Sequence, residues 1–445
     1  MAGGSLRMSG MPPRTASWQS ASLIAAALAA LQSCTASGSG IGLISLVAAD
    51  QAAASVQTDE PEGASSAVDA GQDTGTQDAG TQANSAEAPE EPITYNHTHL
   101  PIGFNDSGLC IGNSKRWNGV RLNFADRGVE EITGLNVGIW DFEGSSVDQM
   151  NGIDIGLKNQ VGEGQGVSLG LFGTAAHESL SGVGLGGLAV FAKKELQGIH
   201  LGGLAVVSEG EQRGVGIGGL AVVSHGAQTG VHLGGLAVVS EGDQEGLNVG
   251  GLAVVSGGGL RGLKLAGLAV VSGGDQWGLT GAGLASVTGG NFTGISVGGI
   301  ASVADGDMRG LAVSGLGTSF GGDFEGIGLG GWTMGDDAVG NLDFSLDGPP
   351  NLEHDTTANG LMLAGYRVQA NHINGIAGAL LMTRAHDLTG LAVGAFNGIS
   401  GKQTGLSVGL FNHAAELEGV QIGLLNYVAD NPKWLRWLPL VNARF

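Results

Sequence analysis

An all-β, repetitive β-solenoid of stacked units about 16 residues long is the fold class this sequence predicts. Three observations point to it. Glycine-led segments start at Gly198, Gly214, Gly230, Gly246, Gly262, Gly278 and Gly294, each a variant of GIHLGGLAVVSEGEQR. Within a unit the residue types alternate, as side chains do on the two faces of a strand. Glycine supplies 85 of 445 residues while 42% of the chain is hydrophobic. That balance excludes collagen, because glycine does not fall at every third position, and argues against plain low-complexity disorder.

The unit at Gly246 shows how a turn is built. Leu247 and Val249 point one way and Asn248 the other. The equivalents of Asn248 are His200, Gly216, His232, Lys264, Thr280 and Ser296, a variable and mostly polar column expected to face solvent. Ile199, Val215, Val231 and Leu263 keep the flanking column aliphatic, so it is expected to face a core. Gly250 and Gly251 permit a corner, Leu252 and Val254 start a second side, and Ser256 to Arg261 turn again. About five buried aliphatics at roughly 1.5–3 kcal/mol each do not offset ~1–2 kcal/mol of backbone entropy per residue, so one unit is unstable alone. Stacking with hydrogen bonds between units supplies the difference.

The alternative is a closed antiparallel β-barrel of the outer-membrane type, with one strand and a short turn per unit. The terminal Phe445 suits it, whereas an aromatic content of only 5% does not.

Taken in order, the chain divides as follows. Residues 1–33 read as a signal peptide, with Arg7 and Arg14 ahead of the apolar run Ser22 to Cys34. Its ending, LQSC, resembles a bacterial lipobox that makes Cys34 the lipidated residue; cleavage among the alanines of Leu46 to Ser55 is the competing reading. Residues 34–92 form an acidic linker whose core, Thr58 to Pro92, lacks Lys, Arg and aromatics and is expected to be disordered. Residues 93–133, with Phe104, Trp117 and Phe124, read as N-terminal cap strands. The repeat domain spans 134–430, with an acidic insertion at 336–359, and 431–445 form a C-terminal cap strand.

The segment GLSVGLFNHAAELEGVQIGLLNYVADNP, Gly405 to Pro432, resembles the G-L-x-I-G-L-x-N surface-repeat family of leptospiral and other bacterial envelope proteins. The match is best from Gly390 to Phe445, where Asn397, Asn412 and Asn426 take equivalent places, and weaker copies reach back to Gly134. The resemblance implies a location in the bacterial cell envelope, outer-membrane-associated or at the cell surface, and carries over no catalytic residue. The three asparagines either stack as an amide ladder or end strands.

Motifs with possible chemistry reduce to the repeat. GVGIGG at Gly214 satisfies the dinucleotide fingerprint, but LAVVS follows it where a helix is required. His97 and His99 have no third ligand at a telling spacing. His200 and His232 lie two units apart, nearly 10 Å at ~4.8 Å per strand, too far to share a metal. Asp243, Asp275, Asp307 and Asp323 recur without the nine-residue calcium pattern and read as solvated turn acids. Ser208, Ser224, Ser240, Ser256 and Ser272 read as turn hydroxyls. No catalytic, cofactor or metal site is expected. Cys34 and Cys110 are too few for a disulfide framework.

A net charge of −22 makes nucleic acid a poor partner. The sequence therefore points to a non-enzymatic, exported envelope protein tethered to a membrane through lipid on Cys34, with a protein or polysaccharide partner left open. The alternative is an integral barrel that passes or binds solutes.

Overall fold

The computed structural model describes residues 97–139, 147–336 and 355–445. Every regular element among them is a strand, thirty in all, in one continuous hydrogen-bonded system. The unit at Gly246 again serves as the type. Gln244–Gly250 forms a long side, Gly251 and Leu252 a corner, Ala253–Ser256 a short side, and Gly257 to Gly259 a second corner.

Each side pairs in parallel with the same side one turn away. Gln228 lies on Gln244, Gly230 on Gly246 and Asn248 on Lys264, so equivalent residues stack in columns. The corners join the ladder too. The amide of Leu252 donates to the Leu236 carbonyl at 2.7 Å, and that of Gly257 to the Ser240 carbonyl at 2.9 Å. Backbone groups are thus paired around most of each turn, which lets a glycine-rich unit hold its shape.

This pairing is incompatible with the barrel alternative. Strands of an outer-membrane barrel pair antiparallel with their sequence neighbours and close on themselves. Here the partners are parallel and one turn apart, and the stack ends in separate caps.

The leading glycine of each turn explains the strictest feature of the repeat. Gly230 has φ +124°, a conformation L side chains rarely adopt, and a Cβ built there would overlap the Gly214 carbonyl oxygen. The same column of positive-φ glycines runs from Gly108 to Gly419. It therefore begins ahead of the first recognisable repeat at Gly134, since Gly108 pairs with Gly119 and Gly119 with Gly134. Gly326 pairs directly with Gly360, so the extra residues between them leave the stack after the strand Thr333–Gly335. Residues 337–354 of that insertion lie outside the described residues.

Two antiparallel strands end the stack. His99–Phe104 folds back on Ser107–Gly112 through Asn105 and Asp106, both at positive φ (50° and 53°), as a tight hairpin requires. At the other end Trp437–Arg444 reverses onto Phe411–Val428. Aromatic stacking supports that end, with Phe396 5.2 Å from Phe411 and Tyr427 4.6 Å from Trp437 between ring centres. Each cap replaces the parallel edge with one short antiparallel strand interrupted by a proline, Pro101 or Pro439, a poor template for a further chain.

Candidate interaction surface

The interior comes first, because it fixes what faces out. The fully buried Val206, Val222, Val238, Val254 and Val270 line the short side. Facing them from the long side are Gln212, Gln228, Gln244, Leu260 and Gln276, all at most 2% exposed. Toward the C-terminus the same column becomes Phe292, Met308 and Phe324.

A second inner column runs beside it and is largely polar. His200, His232 and Asn248 are 0% exposed, Lys264 and Thr280 1%, and Ser296 2%. The expected facing of this column is thus reversed. The polar residues lie inside, and the aliphatic column flanking them lies outside. Alternation was read correctly; the side assigned to the core was not.

Most of these polar groups bond within or between turns, whereas the ring nitrogens of His200 and His232 meet no hydrogen-bond partner. Asn248 donates to the Gln244 side chain at 2.7 Å, and the Lys264 ammonium donates to Asn248 at 3.2 Å and to the Gly246 carbonyl at 3.3 Å. Gln276 and Thr280 bond each other. Loss of hydration depresses the Lys264 pKa to about 8, against an upward pull from Glu245. It also depresses His200 and His232 to about 4, with the Lys264 charge adding to the effect on His232. At the N-terminal end the same column holds Arg121, bonded to Asp126, to Asn136 at 3.0 Å and to Asn113 at 3.1 Å, and Asn136 donates to Asp154 at 2.9 Å. The reduced Cys110 closes that column, fully buried.

The outer face of the long side is consequently apolar. Ile199, Leu279, Ile295 and Ile327 project from one column, at 40–47% exposure. Leu201, Ile217, Leu265 and Val297 form the next. A third ridge follows at the corner, with Leu204, Leu284, Ile300, Leu316 and Trp332 exposed. Between the second and third columns the outward position is glycine in every turn from Gly187 to Gly365. Gly187, Gly203 and Gly219 floor a shallow trough walled by Leu185, Leu201 and Ile217, and its best-defined stretch measures about 700 Å³. A Cβ on Gly203 would overlap the Gly187 carbonyl oxygen, so close stacking keeps the floor bare.

Monomeric proteins rarely expose a contiguous apolar patch of more than a few hundred Å². Three aliphatic columns rising ~4.8 Å per turn exceed that within about ten turns. The rim is mixed in charge, with Arg213, Glu245, Arg261, Arg309 and Glu325 sharing one exposed column.

The other residues singled out in the sequence fall into structural places. Asn397, Asn412 and Asn426 are buried and form the amide ladder, each step at 2.8 Å. Ser224, Ser240, Ser256 and Ser272 donate to corner carbonyls one turn back, at 2.7–3.0 Å. The turn acids do more than meet water. Asp275 accepts from the Asn291 amide at 2.8 Å and Asp307 from the Asp323 amide at 2.9 Å, so each pins the next corner. The fingerprint glycines at Gly214 lie in a strand followed by a corner and a second strand. His99 is exposed on the first cap strand. Among the described residues no cluster of three metal-ligating side chains occurs. Cys34, the expected lipidation site, lies outside the described residues.

No protein-family model, no curated protein and no solved structure matches the chain.

Proposed function

We propose that this chain is a non-enzymatic, exported repeat protein of the bacterial cell envelope, tethered by lipid on Cys34. The solenoid acts as a stiff spacer, and the apolar outer face of its long side is the binding surface. The observation that carries this reading is that face. It runs the length of the stack, while the polar column behind it is buried. The acidic composition of Thr58 to Pro92, without Lys, Arg or aromatic residues, supports the tether, since such a sequence is that of a linker. The antiparallel caps support a spacer of fixed length, because they close both ends of the stack.

The test is fractionation of cells making the wild-type chain or Cys34→Ala, with labelled fatty acid in the medium. The wild-type chain is expected to carry the label and to sediment with membranes. Cys34→Ala is expected to lose the label and move to the soluble fraction. An unlabelled wild-type chain, or a Cys34→Ala chain still held in membranes, defeats the tether.

A further inference from the structure

We propose that the apolar long side is the interface of a two-fold homodimer, in which the aliphatic columns of the two copies pack face to face. This rests on reading that face as a binding surface, and names its partner.

Area is the first argument. Fourteen rises lead from Gly182 to Gly419, and at ~4.8 Å each the face is about 70 Å long. With a width of about 12 Å across the aliphatic columns, it offers on the order of 800 Å². That matches what each partner contributes to a stable interface.

Periodicity is the second argument, and it selects the occupant. The ridge Leu236, Leu252, Leu268 and the trough Gly235, Gly251, Gly267 repeat with the same rise, because both belong to in-register turns. A surface of this kind is matched along its whole length only by a partner with the same axial repeat. A second copy has it. A two-fold axis along the stack, centred on the middle column, sets each turn against its own counterpart and apposes the whole width of the two faces, as an isologous contact demands.

The antiparallel caps oppose end-to-end growth, which leaves lateral pairing as the closed solution.

The experiment is sedimentation equilibrium of the full chain carrying Cys34→Ala, so that lipid does not drive association. At micromolar concentration the expected mass is twice the 44.4 kDa of one chain. Adding Leu236→Glu and Leu268→Glu places charges in the ridge and should weaken dimerisation at least about 100-fold, with the circular dichroism spectrum unchanged. Asp243→Lys, at the opposite corner, should leave the dimer intact. A single-chain mass without the ridge substitutions overturns the proposal. So does a ridge variant that folds and still dimerises. If the ridge variant fails to fold, Leu252→Gln alone is read by the same criterion. A single chain that floats with neutral phosphatidylcholine vesicles assigns the face to lipid and equally overturns the dimer. None of these outcomes depends on whether Cys34 is acylated in cells.

Discussion

His200 and His232 should make the middle of the solenoid acid-labile above the range in which most carboxylates titrate. Both imidazoles are wholly buried, and burial holds each pKa down from 6.5 to about 4. Between those values the unfolded chain binds protons that the folded chain refuses. Their contribution is therefore complete above pH 6.5 and is lost as the pH falls toward 4. At pH 5 each site has given up about 2 kcal/mol relative to pH 7, at roughly 1.4 kcal/mol per unit. The double variant His200→Asn, His232→Asn supplies at both turns the residue already present at Asn248. Urea unfolding at pH 7 and pH 5 compares the two chains. Wild type is expected to lose about 4 kcal/mol more than the variant over that interval, and acids elsewhere cancel in the difference. Hydrogen exchange should place the first opening at Gly198 to Ser240, since turns depend mainly on their neighbours. Equal losses for both chains would refute the assignment of buried, neutral histidines.

Three further outcomes follow from the columns. Gly230→Ala combines a forbidden φ with overlap on the Gly214 carbonyl, and should cost at least about 3 kcal/mol, read as a lowered urea midpoint and faster proteolysis. Asn412→Ala strips partners from Asn397, Asn426 and the Ile422 carbonyl, and should cost about 2–4 kcal/mol in thermal unfolding; a loss below 1 kcal/mol would mean the ladder is incidental. Lys264→Asn removes a buried ammonium whose pKa is depressed to about 8, and should stabilise the chain by about 1–2 kcal/mol at pH 7. Because that depression favours the neutral amine, the gain should shrink between pH 8 and pH 10.5. A Lys264→Asn chain less stable than wild type at pH 7 would show that the bonds to Asn248 and Gly246 outweigh desolvation.

The stacking period and the corners at Gly250 and Gly251 were legible because glycine and strand alternation leave direct marks on a sequence. The facing of the long side was not, since alternation says which residues share a side and is silent about which side is buried. Hydrophobicity then pointed the wrong way at Asn248, because a buried polar group bonds within its turn, as Asn248 does to Gln244, and along its column, as Lys264 does to Asn248. A better signal lay three residues upstream. Glu245 shares its side with Leu247 and Val249, and its counterparts Arg261, Arg309 and Glu325 are charged. Gln244 shares its side with Asn248, and its counterparts turn into Leu260, Phe292 and Phe324. A column that exchanges Gln for Phe is interior; one that exchanges Glu for Arg is not. The trough was invisible for a different reason, because it is made by side chains that are missing.

The in-register turn also changes what an insertion or deletion means. Removing Gly230 to Glu245 joins Thr229 to Gly246 and sets Gly214 on Gly246 and Ser224 on Ser256, residue for residue. No hole opens and no cap is disturbed; the molecule simply becomes about 4.8 Å shorter. Its reach is therefore quantised, a ruler graduated in copies of one phrase. Duplication or loss of a single phrase moves it by one mark, whereas a slip of one residue would turn every side chain of a strand to the wrong side.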